Sequence, residues 1–331
     1  MQGIVINGYG KTDVLEKVDD LKQPTIKSDQ VLVQVKASTF NIADYILFTK
    51  PLKEPSLPLA VQYLNKGLSF LPARVGGSEF AGIVTEVGAD VTKFSVGQHV
   101  CGINFKGAWT EYLVINENAL FPAPADFSFE QSAALPIDAV TAYSAVKKAV
   151  RWVGAKVLIN GASGGVGHFA LQIAKAFQAE VTAVCSTRNA SLARKLGADH
   201  MIDYTQEDIA DHPQKYDAII AINGYQPLSK YRSLLQENGT YVLVGGKARQ
   251  DIEGAAGLVF GDVTHPKITG AAYPFVDKKE TMQKVLKLAA NGKVVPHIDH
   301  AYSINEIPDA LNYLVKQHAQ GKVALKVDFS E

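Results

Sequence analysis

Hydrophobic positions along the chain keep two different periods, and the places where the period changes mark its elements. Val31-Leu32-Val33-Gln34-Val35-Lys36-Ala37 alternates at period two and reads as a strand. Phe80 to Val87 reads as another, closed by a Gly88-Ala89-Asp90 turn. Gly3 to Asn7, Phe94 to Gly102 and Trp109 to Ile115 add further strands, so residues 1 to about 125 are expected to be mostly β. Between Lys50 and Gly77 a proline-bearing segment carries one short helical stretch, Leu59 to Asn65. It is long for a connection and suits either a lid or a packing loop. From Phe127 the pattern turns helical. Ser128-Phe129-Glu130-Gln131 opens a helix that Pro136 is expected to end, and Ala139 to Val150 forms the next.

Val157 to Asn160 then runs straight into Gly161-x-x-Gly164-x-x-Gly167, with Val166, Phe169, Ala170, Ile173, Ala174 and Phe177 at helical spacing behind it. Strand, tight turn and helix in that order suit a diphosphate. Without Cβ atoms the backbone N–H groups can approach it, and the helix N-terminus faces the anion. Ala162 stands where the common G-x-G-x-x-G fingerprint has its first glycine. The turn Ala162, Ser163, Gly164, Gly165, Val166, Gly167 is the expected cofactor-binding loop.

Strands follow at Glu180 to Cys185, His200 to Asp203, Tyr216 to Ile222 and Gly239 to Val244. Helical stretches separate them at Asn189 to Leu196, near Gln206 to Ala210, and at Leu228 to Leu235. Such alternation predicts an α/β unit, a doubly wound parallel sheet of Rossmann type. A poorly defined segment to Pro274, helices at Lys278 to Asn291 and Ile307 to Gln317, and a strand at Val323 to Val327 complete the chain.

The end of the second strand of this sheet selects the dinucleotide. An NAD site usually holds the ribose hydroxyls with an acidic residue about twenty residues past the glycines. Here Cys185-Ser186-Thr187-Arg188-Asn189 offers no carboxylate. The hydroxyls of Ser186 and Thr187 with the guanidinium of Arg188 suit a 2′-phosphate, which predicts NADPH.

At 331 residues, two domains are expected. Charge balances at 33 basic and 33 acidic residues, so nothing drives the chain to nucleic acid or to a membrane surface. No apolar run approaches a membrane span, and a first strand at Gly3 leaves no room for a leader, so a cytoplasmic protein is expected. Cys101 and Cys185, the only cysteines, build neither a disulfide framework nor a cysteine zinc site.

This order of parts resembles the medium-chain dehydrogenase/reductase superfamily, in particular its zinc-independent quinone oxidoreductase and enone reductase branch. The residues that carry the resemblance are Val35 to Asp44, Gly77-Ser78-Glu79-Phe80-Ala81-Gly82, Ala134-Leu135-Pro136 with Thr141-Ala142-Tyr143, Gly161 to Gly167, Leu196-Gly197-Ala198-Asp199, and Gly321-Lys322-Val323. It implies a GroES-like β-rich catalytic domain over 1–125 and 275–331, a Rossmann NADPH-binding domain over 126–274, and an active site in the cleft between them. It also implies a homodimer and a small-molecule quinone or enone as substrate.

Asn41 and Ser78 take the positions of two zinc ligands of the metal-dependent relatives, so no metal is expected. Asn41, Asp44 and Tyr45 would be the catalytic residues, Asp44 being equally suited to anchoring a turn. Thr141, Tyr204, Gly245, Gly246 and Lys322 would join the cofactor site. Ile42 departs from a frequent proline, and Asp138 from a small uncharged residue. A trans-2-enoyl thioester reductase, or an NADPH-binding sensor without turnover, are the other readings the resemblance allows.

Overall fold

The ten-residue alternation from Gln30 to Thr39 is the spine of the first unit, burying Val31, Val33, Val35 and Ala37. A computed structural model describes residues 1–8, 10–49, 74–246, 267–271, 277–316 and 319–330. The helical stretch expected at Leu59 to Asn65, the loop around it and most of the segment before Pro274 lie outside the described residues. The chain divides into two compact units. One holds the chain up to Thr49, from Arg74 to Ile137 and from Pro296 onward; the other runs from Asp138 to Val295. Both bounds expected for the second unit, 126 and 274, therefore move. Phe129–Ala133 packs on strands of the first unit, and Lys278–Ala290 packs on Val140–Ala149 in the second.

In the first unit a mixed sheet has the order Ile298–Ser303, Lys322–Lys326, Gln30–Thr39, Glu79–Val87, His99–Ile103, Leu120–Pro122, and Tyr112–Asn116 also pairs with Gln30–Thr39. The C-terminal strand Lys322–Lys326 thus lies inside the sheet. Two expected strands are shorter than read. His99–Ile103 starts after a turn in which Gly97 takes φ +88°, and the backbone of Trp109 bonds singly to Ile4 and Gly76 instead of joining a ladder. Gly77 is forced to be glycine twice over: its φ is +79°, and a Cβ would come within 2.4 Å of the buried Trp109 ring. That close packing sets the path into Ser78 and Glu79.

Ser128 and Gln131 form the capping box that opens Phe129–Ala133. Pro136 does not stop the helical path as expected. Having no N–H, it sits in a wide π-type turn, Leu135–Ala139, that runs on into Val140–Ala149.

The second unit is a six-stranded parallel sheet in the order His200–Asp203, Glu180–Cys185, Lys156–Asn160, Tyr216–Ala221, Leu235–Leu243, Lys267–Gly270. The strand expected at Gly239 begins four residues earlier, at Leu235. The helix expected near Gln206 is only a single turn, Ile209–Asp211, capped by Asp208. No helix among the described residues is long and apolar enough to cross a membrane.

Candidate active site

In the first unit three expected residues meet. Asn41 immediately precedes the helix Ile42–Thr49, and Ile42 fills its first position, where a proline's fixed φ would also fit. An asparagine there normally caps the helix with its side chain. That cap is not made here; Asp44, three residues on, reaches back instead: its Oδ2 accepts from the Asn41 backbone N–H at 2.8 Å, and its Oδ1 accepts from the Ser78 hydroxyl at 2.9 Å. The Asn41 carboxamide turns inward. Its Oδ1 accepts from the Lys322 ammonium at 2.8 Å, and its Nδ2 donates to Glu79 Oε2 at 2.8 Å. Tyr45 is half-buried and packs against the core of the unit.

Glu79 is the anchor that sequence reading missed. Fully buried at the first position of its strand, it accepts at Oε2 from Thr39 (2.7 Å), Asn41 and Lys322 (3.1 Å), and at Oε1 from the Ile137 N–H at 2.5 Å. A carboxylate set directly before Phe80-Ala81-Gly82-Ile83-Val84 was the available signal. Lys322 is 1% exposed. These bonds join its ammonium to Asn41 and Glu79.

Zinc does not fit this donor set. Asn41 Oδ1 faces an ammonium, Ser78 donates to Asp44, and a dication beside Lys322 would be repelled. Burial, with the Glu79 carboxylate, pushes the Cys101 thiol up to about 12, which leaves it a poor ligand. Among the described residues no group of three His, Cys, Asp or Glu side chains is set to hold a metal ion.

Burial raises the Asp44 carboxyl to about 6, against the lowering effect of its bonds from Asn41 and Ser78. The folded state therefore holds this proton more tightly than the unfolded chain does. The stabilisation is full below the ordinary value of 3.8 and is lost as pH rises through about 6. At ~1.4 kcal/mol per pH unit the loss is on the order of 3 kcal/mol. Asp44→Asn keeps both neighbours bonded, accepting from the Asn41 N–H and donating to Ser78, and should flatten that fall. Urea midpoints of wild type and variant at about pH 4 and about pH 7 measure it, and parallel pH dependences would remove Asp44 as its source.

In the second unit the expected cofactor residues line one edge of the sheet, at the carboxyl ends of its strands, where open α/β sheets bind ligands. Ala162 to Gly167 follow Lys156–Asn160, Ser186 to Arg188 follow Glu180–Cys185, Tyr204 follows His200–Asp203, and Gly245 and Gly246 follow Leu235–Leu243. The helix Gly165–Ala176 opens at this edge, and its first N–H groups have no acceptor within the helix. Ala162 is buried in the turn, and Ser163 accepts from Asn189 Nδ2 at 2.8 Å. Gly164 faces open space: a Cβ there would meet nothing nearer than Gly161 O at 3.8 Å. Gly167 is different, because a Cβ would lie 2.0 Å from that same oxygen.

On the helix Val140–Ala149, the Thr141 Oγ1 is buried without a hydrogen-bond partner among the described residues. An open cradle of donors and an unsatisfied hydroxyl fit a nicotinamide dinucleotide. Arg188 and Tyr204 are exposed, and Asp138 is buried.

One local expectation is corrected. No carboxylate follows the second strand in sequence, but the parallel neighbour places Asp203 opposite Cys185. Its carboxylate accepts from the hydroxyls of Thr187 and Thr205 and from the Thr205 N–H, and the Thr187 bond, chief among these, holds the carboxyl below its ordinary range.

Known proteins resemble the chain over most of its length. Residues 27–125 match the family model of the alcohol dehydrogenase GroES-like domain, and residues 196–325 match that of the zinc-binding dehydrogenases. The 2-methylene-furan-3-one reductase of Solanum lycopersicum is 32% identical over 330 residues, covering 96% of this chain and 76% of its own. The chloroplastic NADPH-dependent alkenal/one oxidoreductase of Arabidopsis thaliana is 30% identical, with 98% of this chain and 79% of its own aligned. Among solved structures, the quinone oxidoreductase from Coxiella burnetii matches with a TM-score of 0.85 at 28% identity, over 99% of both chains.

Proposed function

Because the chain belongs to the quinone oxidoreductase branch of the medium-chain dehydrogenase/reductase family, we propose that it uses NADPH to reduce quinones or the activated C=C bond of enones and enals. One observation carries this reading. The Lys322 ammonium sits on the Asn41 carbonyl, 2.8 Å away, where a metal-dependent dehydrogenase would need an anionic ligand. With that donor set no Lewis acid lowers the pKa of an alcohol, whereas a conjugated acceptor is activated by its own unsaturation.

Bound at the strand ends of the second unit by the Ala162 to Gly167 turn, Thr141 and the Ser186 to Arg188 segment, the nicotinamide supplies the hydride. The chain's own task is then to meet the charge that collects on the acceptor's oxygen. Asn41 donates to that oxygen through Nδ2–H, and Tyr45 is a second donor or the proton source. Asp44, buried with its carboxyl raised to about 6, holds or releases a proton close to neutral pH.

The test is NADPH oxidation over a panel of quinones, alkenals, enoyl thioesters and primary alcohols after exhaustive chelation, with zinc measured alongside. Turnover of quinones or enones is expected. Preference for long enoyl thioesters would point to a thioester reductase, and binding without any turnover to a sensor. Stoichiometric zinc with alcohol oxidation lost on chelation would sink the reading. A homodimer is part of it, and a single-copy mass by ultracentrifugation counts against that part.

The choice of NADPH rests on Arg188, with Asp203 already committed to Thr187 and Thr205. A hydrogen bond to a charged group contributes about 1.5–3 kcal/mol, so Arg188→Ala should weaken NADPH roughly ten- to a hundredfold and leave NADH nearly unchanged. Fluorescence titration with both cofactors decides it. Equal losses would mean that Arg188 does not read the 2′-phosphate, and would turn attention to Asp203 as a ribose ligand.

A further inference from the structure

We infer that Lys322 and Glu79 are positioning residues that act through Asn41, locking its carboxamide in one orientation so that its second Nδ2 hydrogen faces the substrate oxygen. The inference rests on the reading above, in which Asn41 is the donor to the reacting carbonyl.

The geometry is a closed triangle: Lys322 Nζ to Asn41 Oδ1 at 2.8 Å, Asn41 Nδ2 to Glu79 Oε2 at 2.8 Å, and Lys322 Nζ to Glu79 Oε2 at 3.1 Å. An amide can usually be turned over with little to distinguish its two ends. Here the ends are told apart, because an ammonium has only donors and a carboxylate only acceptors. The turned amide would set its NH2 against the ammonium and its oxygen against the carboxylate. Charge adds to orientation, since a cation on Oδ1 polarises the amide and strengthens its remaining N–H as a donor.

Two further facts argue that this arrangement serves more than stability. A buried ion pair gains little over apolar residues of the same volume, so stability alone does not call for one at this point. Asn41 stands directly before a helix, yet its side chain bonds Lys322 and Glu79 and does not cap that helix. Lys322 and Glu79 are 1% and 0% exposed, which bars both from direct contact with bulk solvent. Asn41, which both of them bond, is itself 8% exposed.

The test is a double-mutant cycle on kcat, at saturating NADPH and enone, with the charge-neutral pair variant Lys322→Met/Glu79→Gln, with Asn41→Ala, and with the two combined. The neutral variant guards against a folding failure caused by one uncompensated charge. We expect Asn41→Ala to lower kcat roughly 10²–10³-fold and the pair variant by about tenfold or more. The combined variant should be no slower than Asn41→Ala alone, because the pair has nothing left to act through. The NADPH Kd of the pair variant should stay within about threefold of wild type. In the cofactor-free protein, the Asn41 side-chain NH2 resonances should be protected from exchange in wild type and lose that protection in the pair variant.

Multiplicative losses in the cycle would overturn the inference, as would a folded pair variant with wild-type kcat. A large rise in NADPH Kd at unchanged kcat would make Lys322 a cofactor ligand instead. If wild type turns over no enone or quinone, or Asn41→Ala leaves kcat intact, the reading of the site has failed. The Asn41 resonances still report on the lock in that case.

Discussion

Replacing Gly164 by valine should abolish NADPH binding, with at least a hundredfold rise in Kd (about 3 kcal/mol), in a protein that still folds. The two halves of this expectation have separate causes. Within the protein a Cβ at Gly164 has room, its nearest neighbour being Gly161 O at 3.8 Å, and the backbone there is extended at φ −83° and ψ −173°. Valine is a poor residue in front of a helix, so a stability loss of about 1 kcal/mol is expected and no more. In the function proposed above, the same space is where a diphosphate would meet the first N–H groups of the helix Gly165–Ala176, and a branched side chain would fill it.

Gly167→Ala should act first on stability. Its Cβ would lie 2.0 Å from Gly161 O and 2.8 Å from the Ala162 carbonyl carbon, so backbone must move, at a stability cost of about 3 kcal/mol or more. Thermal unfolding and fluorescence titration of both variants separate the effects. A folded Gly164→Val protein with normal NADPH affinity would show that the turn does not hold the diphosphate.

Glu79→Gln should cost about 3–5 kcal/mol of stability, because it leaves the Lys322 ammonium buried without its counter-charge. An amide NH2 at the Oε2 position would also face three donors, from Thr39, Asn41 and Lys322. Adding Lys322→Met removes the stranded charge and should recover at least half of the loss, as measured by urea unfolding. A single variant within about 1 kcal/mol of wild type would mean that water reaches the pair or that the charge is compensated elsewhere.

What the sequence made legible was local. The alternation in Gln30–Thr39 and the strand-to-helix switch at Gly161 to Gly167 are properties of neighbouring residues, and the structure has both. Spacing alone could not distinguish Gly164 from Gly167, because a Cβ at one would meet open space and at the other a carbonyl of its own turn. Nor could it find Asp203, which reaches Thr187 through pairing of parallel strands and not through chain proximity. The Glu79–Lys322 pair is the extreme case. Its members are 243 residues apart, and nothing near either one names the other.

That separation also has a meaning in time. A ribosome makes the chain from its first residue, at about 5–20 residues per second, so Lys322 follows Glu79 by roughly 10–50 s. Throughout that interval the strand that belongs between Ile298–Ser303 and Gln30–Thr39 does not exist, and the carboxylate of Glu79 has no cation to be buried with. The described residues of the second unit, by contrast, run from Asp138 to Val295, and all of them are made before residue 322 is added. The N-terminal half is therefore synthesised first and closed last. In the meantime, with its sheet open on that side, the nascent N-terminal half is the part most in need of a chaperone.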